Sequence, residues 1–282
     1  MAAITAQMVK ELRDKTGAGM MDCKKALQEN DADMEKSLDW LRQKGIAKAA
    51  KKVGRATSEG LVTVATSDNI TAIASVCCET DFVARGEKFI TFANSVSKLV
   101  LDNNPADVPA LETLLGDELQ NQIAIIGENM TLGAFARYET QANGTLGVYI
   151  HANNKLGVLV ELAVNRAENA TNDNVSTLAK NIAMQIAAAN PLAIDPSALD
   201  SATIERERDV YRQKALDEGK PANIVEKIVE GAVKKYYKEV CLLEQAYIRD
   251  DKKTIADILR ETGKEINDEV TVVRFNRIQL GA

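Results

Sequence analysis

At residues 77–84 the sequence reads CCETDFVA, directly after the apolar, β-like run at residues 73–76. Within it, the polar pair Thr80 and Asp81 is followed by the large aromatic Phe82. Aromatic residues make up only 4% of the chain, so a Phe at a strand-to-helix corner needs an explanation. From the residues alone, Phe82 is interpreted as a core residue under the next helix, and Asp81 could be the N-cap of that helix, act on a partner, or do both.

The patterns around this corner define the fold class. Residues 61–64 and 70–76 have a period of two and flank a turn-type cluster at residues 67–69, which predicts a β-hairpin. Apolar side chains at helical spacing over residues 89–100 predict a long amphipathic helix. The same order of strand, turn, strand, loop and helix recurs at about residues 145–189. We therefore predict an α+β protein with two related core subdomains, each with an antiparallel sheet.

Residues 1–54 predict a compact unit of three short helices. Gly17 is expected to end the first helix and Asp33 to cap the third. A lysine-rich stretch follows at residues 44–55. It is either an anion-binding stripe or a solvated helix extension that links two units, and the lack of interleaved aromatics favours the extension.

Residues 200–241 predict an antiparallel helical hairpin inserted in the second subdomain. Two charged helical stretches flank residues 218–221, where Gly and Pro suit a helix stop and restart. Few apolar residues lie on each face, so the hairpin is expected to dock or to pair with a partner. Further on, residues 270–275 have the composition of a strand.

The composition indicates a globular protein of several units. The chain has 282 residues and a net charge of −6, which argues against a general polyanion binder. It contains no apolar run of 18 residues or more, and its first residues lack a signal-peptide pattern. Four scattered cysteines do not resemble a disulfide framework. We therefore expect a cytoplasmic protein with no membrane partner.

Signatures of catalysis are missing from the sequence. It has no phosphate-binding loop, no G-x-S-x-G, no H-E-x-x-H and no G-x-G-x-x-G. His151 is the only histidine, and no C-x-x-C pair suggests a zinc site. We expect no metal site. An unrecognised carboxylate pair is the remaining enzyme hypothesis, and a binding protein is favoured over it.

Two motifs resemble signatures of the elongation factor Ts family. The stretch LRDKTGAGMMDCKKAL at residues 12–27 is similar to the first, and CCETDFVAR at residues 77–85 is similar to the second. Residues 146–151 and 157–160 add a further similar segment. The chain departs from the family where Glu-Val-Asn-Cys usually precedes Thr-Asp-Phe, since residues 75–78 read Ser-Val-Cys-Cys. How the strand supports the corner is left open by this change.

The order of segments resembles that of the long bacterial form of the family. The resemblance implies a division of the chain into a helical module like a ubiquitin-associated (UBA) domain at 1–54, a core N-subdomain at 55–142, a core C-subdomain at 143–190 and 242–266, an inserted dimerisation hairpin at 191–241, and a C-terminal module at 267–282. The hairpin could instead be a solvated arm.

The resemblance also implies a function. Members of the family promote release of GDP from elongation factor Tu, a translational GTPase, without covalent chemistry. The implied role involves no cofactor and no direct contact with nucleic acid. A wedge inserted beside the partner's Mg²⁺ and phosphate site is expected from Thr80, Asp81, Phe82 and Val83.

Further contacts with elongation factor Tu are implied for Arg13, Met20, Met21, His151 and Gly157. From the residues, Met20 and Met21 could equally fill the core of the N-terminal helices, and His151 could be an ordinary strand residue. A different class of function also stays open. The helical module at residues 1–54 could make the chain a UBA-like adaptor for some other partner.

Overall fold

A computed structural model describes residues 4–281 of the chain and shows the α+β class that the sequence predicts. Predictions that extend over residues 1–3 and 282 lie outside the described residues at those positions. The helices are α1 Ala6–Thr16, α2 Met20–Glu29, α3 Met34–Ala50, α4 Asp81–Ala84, α5 Glu87–Asn103, α6 Val108–Leu115, α7 Glu118–Ile126, α8 Asp173–Ala189, α9 Ser201–Asp217, α10 Ala222–Val240 and α11 Ile255–Glu265. None of these helices is long and apolar enough to cross a membrane.

The strands form two three-stranded antiparallel sheets, β1-β2-β3 and β4-β5-β8, and a small β6-β7 pair. Their bounds are β1 Glu59–Ser67, β2 Ile70–Cys78, β3 Met130–Glu139, β4 Gly144–Ile150, β5 Leu156–Val164, β6 Ala246–Tyr247, β7 Asp250–Thr254 and β8 Val270–Gln279. The hairpin predicted around residues 67–69 and the long helix predicted over residues 89–100 are confirmed as β1-β2 and α5.

The two large sheets share one order of elements. In each, a hairpin leads to a helix of 17 residues, and a later strand returns antiparallel to the second strand. Both long helices end on an Asn in the left-handed region, Asn104 at φ 47° and Asn190 at φ 46°. Asn tolerates this conformation better than most residues, so it stops both helices in the same way. The recurrence expected from the sequence is therefore present in the structure.

Alternation along the strands sorts side chains between the two faces of each sheet. Leu61 and Val76 belong to the cluster that α5 covers. Val62 and Ile73 point the other way and meet Leu159 of the second sheet. On its far face the second sheet packs against α8. The core is therefore layered as helix, sheet, sheet and helix.

A polar cluster also joins the two sheets. The Nε of Arg274 donates to the carboxylate of buried Glu161 at 2.6 Å, and its guanidinium lies 4.1 Å from the centre of the Tyr138 ring. The Tyr138 hydroxyl donates to Asn276 at 2.6 Å, and burial raises the pKa of Tyr138 to about 12. Each buried polar group named here has a partner, so the cluster fixes how the sheets face each other.

Helices α1 to α3 form the expected N-terminal bundle around buried Leu12 and Leu27. Gly17 ends α1 at φ 64°, and its N–H donates to the carbonyl of Arg13. The Asp33 carboxylate accepts from the N–H of Lys36 at 3.0 Å. Both predicted helix boundaries are thus confirmed, each by the hydrogen bond that its residue type supplies.

The lysine-rich stretch begins inside α3, which packs on α7. A Cβ at Gly45 would lie 3.2 Å from the Cβ of Ala124, so the two helices are close. Lys44 and Lys48 donate to the carboxylate of Asp22 at 3.0 and 2.8 Å, which lowers the pKa of Asp22. These lysines are engaged within the chain, which supports the helix extension over an anion-binding stripe.

Helices α9 and α10 form the predicted antiparallel hairpin around Gly219, which has a φ of 71°. The two helices share a small apolar cluster that includes Ala215, Val225 and Val229. The C-terminal stretch at residues 267–282 contributes β8, the third strand of the second sheet. The boundaries that divide the chain into separate units stay predictions.

Asp268, two residues before β8, holds the chain where β5 ends. Its carboxylate accepts from the N–H groups of Asn165 and Arg166 at 3.2 and 3.0 Å and from the side chain of Asn169 at 2.9 Å. We call this arrangement the Asp268 clamp. The Asn169 bond and then the backbone bonds lower the pKa of Asp268 from 3.8 to about 2.

The Asp268 clamp predicts a specific pH dependence of stability. Because the folded pKa is below the unfolded value, the clamp stabilises fully above about pH 4 and loses this effect as pH falls through about 2. We expect Asp268→Asn to lower the melting temperature at neutral pH and to flatten its change between these two pH values. Circular dichroism melts test this, with exposed Asp251→Asn as control. Parallel acid profiles for Asp268→Asn and the native chain would contradict it.

Candidate functional site at the corner after strand β2

Phe82 lies on the outside of the protein. It is the second residue of the short helix α4, and 84% of its surface is exposed. The same turn of helix is anchored by buried Ala84 and half-buried Val83, both of which pack against the core under α5. The interpretation of Phe82 as a core residue is therefore wrong. Anchoring α4 through its other side directs the aromatic ring to solvent.

Thr80, rather than Asp81, caps α4. The Thr80 hydroxyl accepts from the N–H of Val83 at 3.3 Å, which excludes the alternative that Asp81 is the N-cap. Asp81 is the first helical residue, exposed, and its carboxylate lies 3.0 Å from Arg85. Exposed ion pairs of this kind contribute little to stability. The Asp81 carboxylate can therefore turn to another cation at small cost.

The side chain of Glu128 holds the corner in place. It is half-buried just before β3. Its Oε2 accepts from the N–H groups of Glu79 and Thr80 at 3.1 and 3.0 Å, and its Oε1 accepts from the Thr80 hydroxyl at 2.6 Å. We call these three bonds the Glu128 clamp. Hydrogen bonds to a charged acceptor are among the stronger ones in proteins.

A reciprocal set of bonds ties the corner to the linker after α3. The Glu79 carboxylate accepts from the N–H of Asn129 at 2.6 Å and from the guanidinium of Arg55 at 3.4 Å. These contacts lower the pKa of Glu79. The Asn129 side chain donates to the carbonyl of Arg55 at 2.8 Å, and Lys52 donates to the carbonyl of Gly127. The N-terminal helices are thus attached beside the corner.

Strand β2, which leads into the corner, carries Ser75 and Cys77, where the sequence departs from the pattern that it resembles, and Cys78, where it matches. Ser75 is buried at a bulge between β2 and β3, and its hydroxyl donates to the carbonyl of Ala134 at 2.8 Å. The Cys78 thiol donates to the carbonyl of Thr80 at 3.2 Å, and burial raises its pKa to about 12. Burial also raises the pKa of Cys77. Both thiols therefore stay protonated, and Cys78 supports the corner as a donor.

His151 lies one residue beyond β4 and is exposed, with its Nδ1 3.0 Å from the hydroxyl of Tyr149. The turn that follows is bound to the first sheet, because the N–H of Val62 donates to the carbonyl of Asn154 at 2.6 Å. Lys155 in the same turn lies 2.6 Å from the carboxylate of Glu59.

This places His151 and the Phe82 corner at the same end of the core. Glu59 begins β1 and pairs in register with Cys78, the last residue of β2 before the corner. Gly157, by contrast, is buried. A Cβ there would lie 2.5 Å from the Cγ1 of Val62, so the glycine allows the two sheets to approach. Gly157 can therefore act on a partner only through the position of its neighbours.

Met20 and Met21 begin α2, with 58% and 75% of their surfaces exposed. The interpretation that they fill the bundle core is therefore wrong, and Leu12 and Leu27 take that place. Arg13 is also exposed, in the last turn of α1. Exposed methionines are adaptable contact residues, because the side chain is flexible and polarisable.

Sequence reasoning did not find Glu128 and Asn129. They lie about 50 residues along the chain from their partners, and no periodicity relates positions so far apart. The one local signal is Gly127, which ends α7 at φ 94° and thereby directs the chain toward the corner. Within residues 4–281, no group of three or more His, Cys, Asp or Glu side chains is arranged to hold a metal ion.

The fold and site define the class of an α+β protein with an exposed aromatic and two exposed methionines on its surface. A family model described as elongation factor TS matches residues 79–282, beginning one residue before Thr80. Proteins named elongation factor Ts are similar over nearly the whole chain. The one from Desulfovibrio desulfuricans is 66% identical, covering 100% of both chains. Those from Nitratidesulfovibrio vulgaris and Lawsonia intracellularis are 54% and 52% identical, each covering 99% of this chain and 96% and 99% of their own.

The chain therefore belongs to the elongation factor Ts family. Membership implies nucleotide exchange on elongation factor Tu during translation elongation, a function without covalent chemistry.

Proposed function

We propose that this chain binds GDP-bound elongation factor Tu and releases the nucleotide by inserting Phe82, with Asp81, beside the Mg²⁺ and phosphate site. The observation that carries the proposal is the 84% exposure of Phe82 on a corner held by the Glu128 clamp. Exposing a Phe to water is unfavourable, and a partner that covers the ring recovers this free energy.

Burial of the Phe82 ring supplies enough free energy to weaken nucleotide binding substantially. Burying a Phe side chain is worth roughly 1.5–3 kcal/mol. Each 1.4 kcal/mol is a factor of ten, so the ring alone accounts for about 10- to 100-fold in nucleotide affinity. The coupling is reciprocal, so bound nucleotide weakens the binding of the exchange factor to elongation factor Tu by the same factor. Mg²⁺ demands near-ideal octahedral geometry, so a small displacement of its surroundings weakens its binding.

Asp81 is proposed to act with Phe82 rather than to support the helix. Thr80 already caps α4, and the exposed pair with Arg85 is weak. The carboxylate is thus free to compete electrostatically with the groups that surround the partner's metal ion. The proposed wedge consists of Thr80, Asp81, Phe82 and Val83, in which Thr80 and Val83 hold the turn and the other two enter the partner.

Met20, Met21, Arg13 and His151 are proposed to contact the partner outside the wedge. Self-association through residues 191–241 is proposed as well, because Val210 and Leu216 remain exposed on the hairpin. If the complex with elongation factor Tu sediments as a single one-to-one complex, with no larger species, self-association is contradicted.

The double substitution Met20→Ala with Met21→Ala is expected to weaken binding of elongation factor Tu by at least about tenfold, because two exposed thioether side chains lose their contacts. The maximal rate of GDP release should stay near that of the native chain, since the wedge is untouched. Titration of the chain into elongation factor Tu loaded with fluorescent GDP measures both quantities. Leu114→Ala, at an exposed position of α6, is the control.

The same titration separates exchange from a UBA-like adaptor function. An adaptor that binds some other partner through residues 1–54 predicts that the native chain does not accelerate GDP release from elongation factor Tu, so that neither the double methionine variant nor Phe82→Ala changes the rate. Exchange predicts a shifted half-saturating concentration for the first variant and a lower maximal rate for the second. Any binding partner captured only by the N-terminal module would support the adaptor.

A further inference from the structure

The two core sheets contain the same carboxylate clamp. In each, an acidic residue two positions before the third strand accepts from the first two N–H groups after the second strand. Glu128 precedes β3 and binds the N–H groups of Glu79 and Thr80 at 3.1 and 3.0 Å. Asp268 precedes β8 and binds those of residues 165 and 166 at 3.2 and 3.0 Å. Each carboxylate also accepts from one side chain of its corner.

The two clamps hold corners of different character. The Asp268 corner, residues 165–170, reads NRAENA and carries no large apolar side chain. The Glu128 corner carries Phe82. The clamp is thus present twice, and only one copy bears an exposed aromatic. Comparing the two copies therefore separates the contribution of the clamp to the fold from its contribution to function.

We propose that Glu128 is a positioning residue for nucleotide exchange, which fixes the direction in which Phe82 leaves the core. This inference rests on the proposed wedge function. Helix α4 has only four residues, so it cannot maintain its own direction. Its orientation depends on Ala84 in the core at one end and on the Glu128 clamp at the other.

Loss of the carboxylate leaves the first N–H groups of the corner without their acceptor. The corner then samples several orientations, and Phe82 reaches the partner in the correct one for only part of the time. Because other contacts hold the chain on its partner, only the fraction of bound complexes with Phe82 correctly oriented releases GDP fast, and the maximal rate falls with that fraction. Glu128→Gln keeps an oxygen acceptor for the backbone pair, and its amide can donate to the Thr80 hydroxyl, so it should retain most of the native effect.

Hydrogen exchange of the free chain tests the clamp without any partner. In Glu128→Ala, amide exchange in the peptide that covers residues 79–84 should become on the order of tenfold faster, because the bonds are to a charged acceptor. The peptide that covers residues 165–170 should be unchanged. Asp268→Ala should give the opposite pattern. Equal protection of residues 79–84 in Glu128→Ala and the native chain would overturn the positioning role.

Stopped-flow release of fluorescent GDP from elongation factor Tu tests the consequence. Glu128→Ala should lower the maximal rate, up to the roughly 10- to 100-fold limit set by the Phe82 ring. Adding Glu128→Ala to Phe82→Ala should cause no further loss, because the clamp acts through that ring. Asp268→Ala should leave the maximal rate unchanged at temperatures where it is folded, and Glu128→Gln should restore most of the rate.

The outcomes are distinguishable. A native maximal rate in Glu128→Ala, with Phe82→Ala slowed, overturns the positioning role and leaves the wedge intact. An equal slowing by Asp268→Ala and Glu128→Ala shows a general effect on the fold and also overturns it. A normal rate in Phe82→Ala overturns the wedge and, with it, the role of Glu128 in exchange.

Discussion

Phe82→Ala is expected to lower the maximal rate of GDP release from elongation factor Tu by roughly 10- to 100-fold, the equivalent of burying one Phe side chain. The ring is 84% exposed in the free chain, so its removal breaks no packing. Ala also suits the helical position, since it has the highest helix propensity. The melting temperature should therefore stay within about a degree or two of the native value, as for most exposed substitutions.

The measurement is stopped-flow fluorescence with elongation factor Tu loaded with fluorescent GDP and saturating amounts of each variant. Ile248→Ala, an exposed apolar side chain in the turn between β6 and β7, is the matched control and should release GDP at the native rate. A native rate with folded Phe82→Ala would show that Phe82 does not act as a wedge in GDP release. A loss of the same size in the control would show that the assay reports general damage.

Phe89→Ala should have the opposite profile. Phe89 lies seven residues after Phe82 and is 1% exposed in the cluster between α5 and the first sheet. Truncating a buried Phe leaves a cavity and removes its transfer free energy, which together cost about 3–5 kcal/mol. The two substitutions are chemically identical, so the pair isolates the effect of burial from that of the residue type.

Chemical denaturation followed by circular dichroism measures this second prediction. The midpoint for Phe89→Ala should fall clearly below those of the native chain and Phe82→Ala. At temperatures where Phe89→Ala is folded, its exchange rate at saturation should approach the native rate. A midpoint equal to that of the native chain would show that α5 does not depend on Phe89 for its packing on the sheet.

Much of the fold follows from the sequence because each element carries its own signal. The period of two in β1 and β2 and the helical period in α5 are local patterns, as are the boundaries at Gly17 and Asp33. The match between the two sheets is harder to predict from the sequence, because the third strand of each follows the second only after a long connection. Residues 270–275 indicate a strand, yet nothing local shows that it pairs with β5.

The candidate site shows where local reasoning ends. Thr80 and Asp81 are both good N-cap residues, and only the three-dimensional arrangement decides that Thr80 is the cap. Phe82 satisfies an apolar pattern equally well inside or outside the core. The deciding fact is that Val83 and Ala84 occupy the inward side of a four-residue helix. The Glu128 clamp joins residues 48 and 49 positions apart, which no pattern in the sequence predicts.

The central claim is that this chain accelerates release of GDP from elongation factor Tu, and stopped-flow release of fluorescent GDP at increasing concentrations of the native chain tests it most directly. The observed rate should rise hyperbolically to a plateau well above the spontaneous rate, with no chemical change in the nucleotide. A rate that stays at the spontaneous value at every concentration would contradict the account.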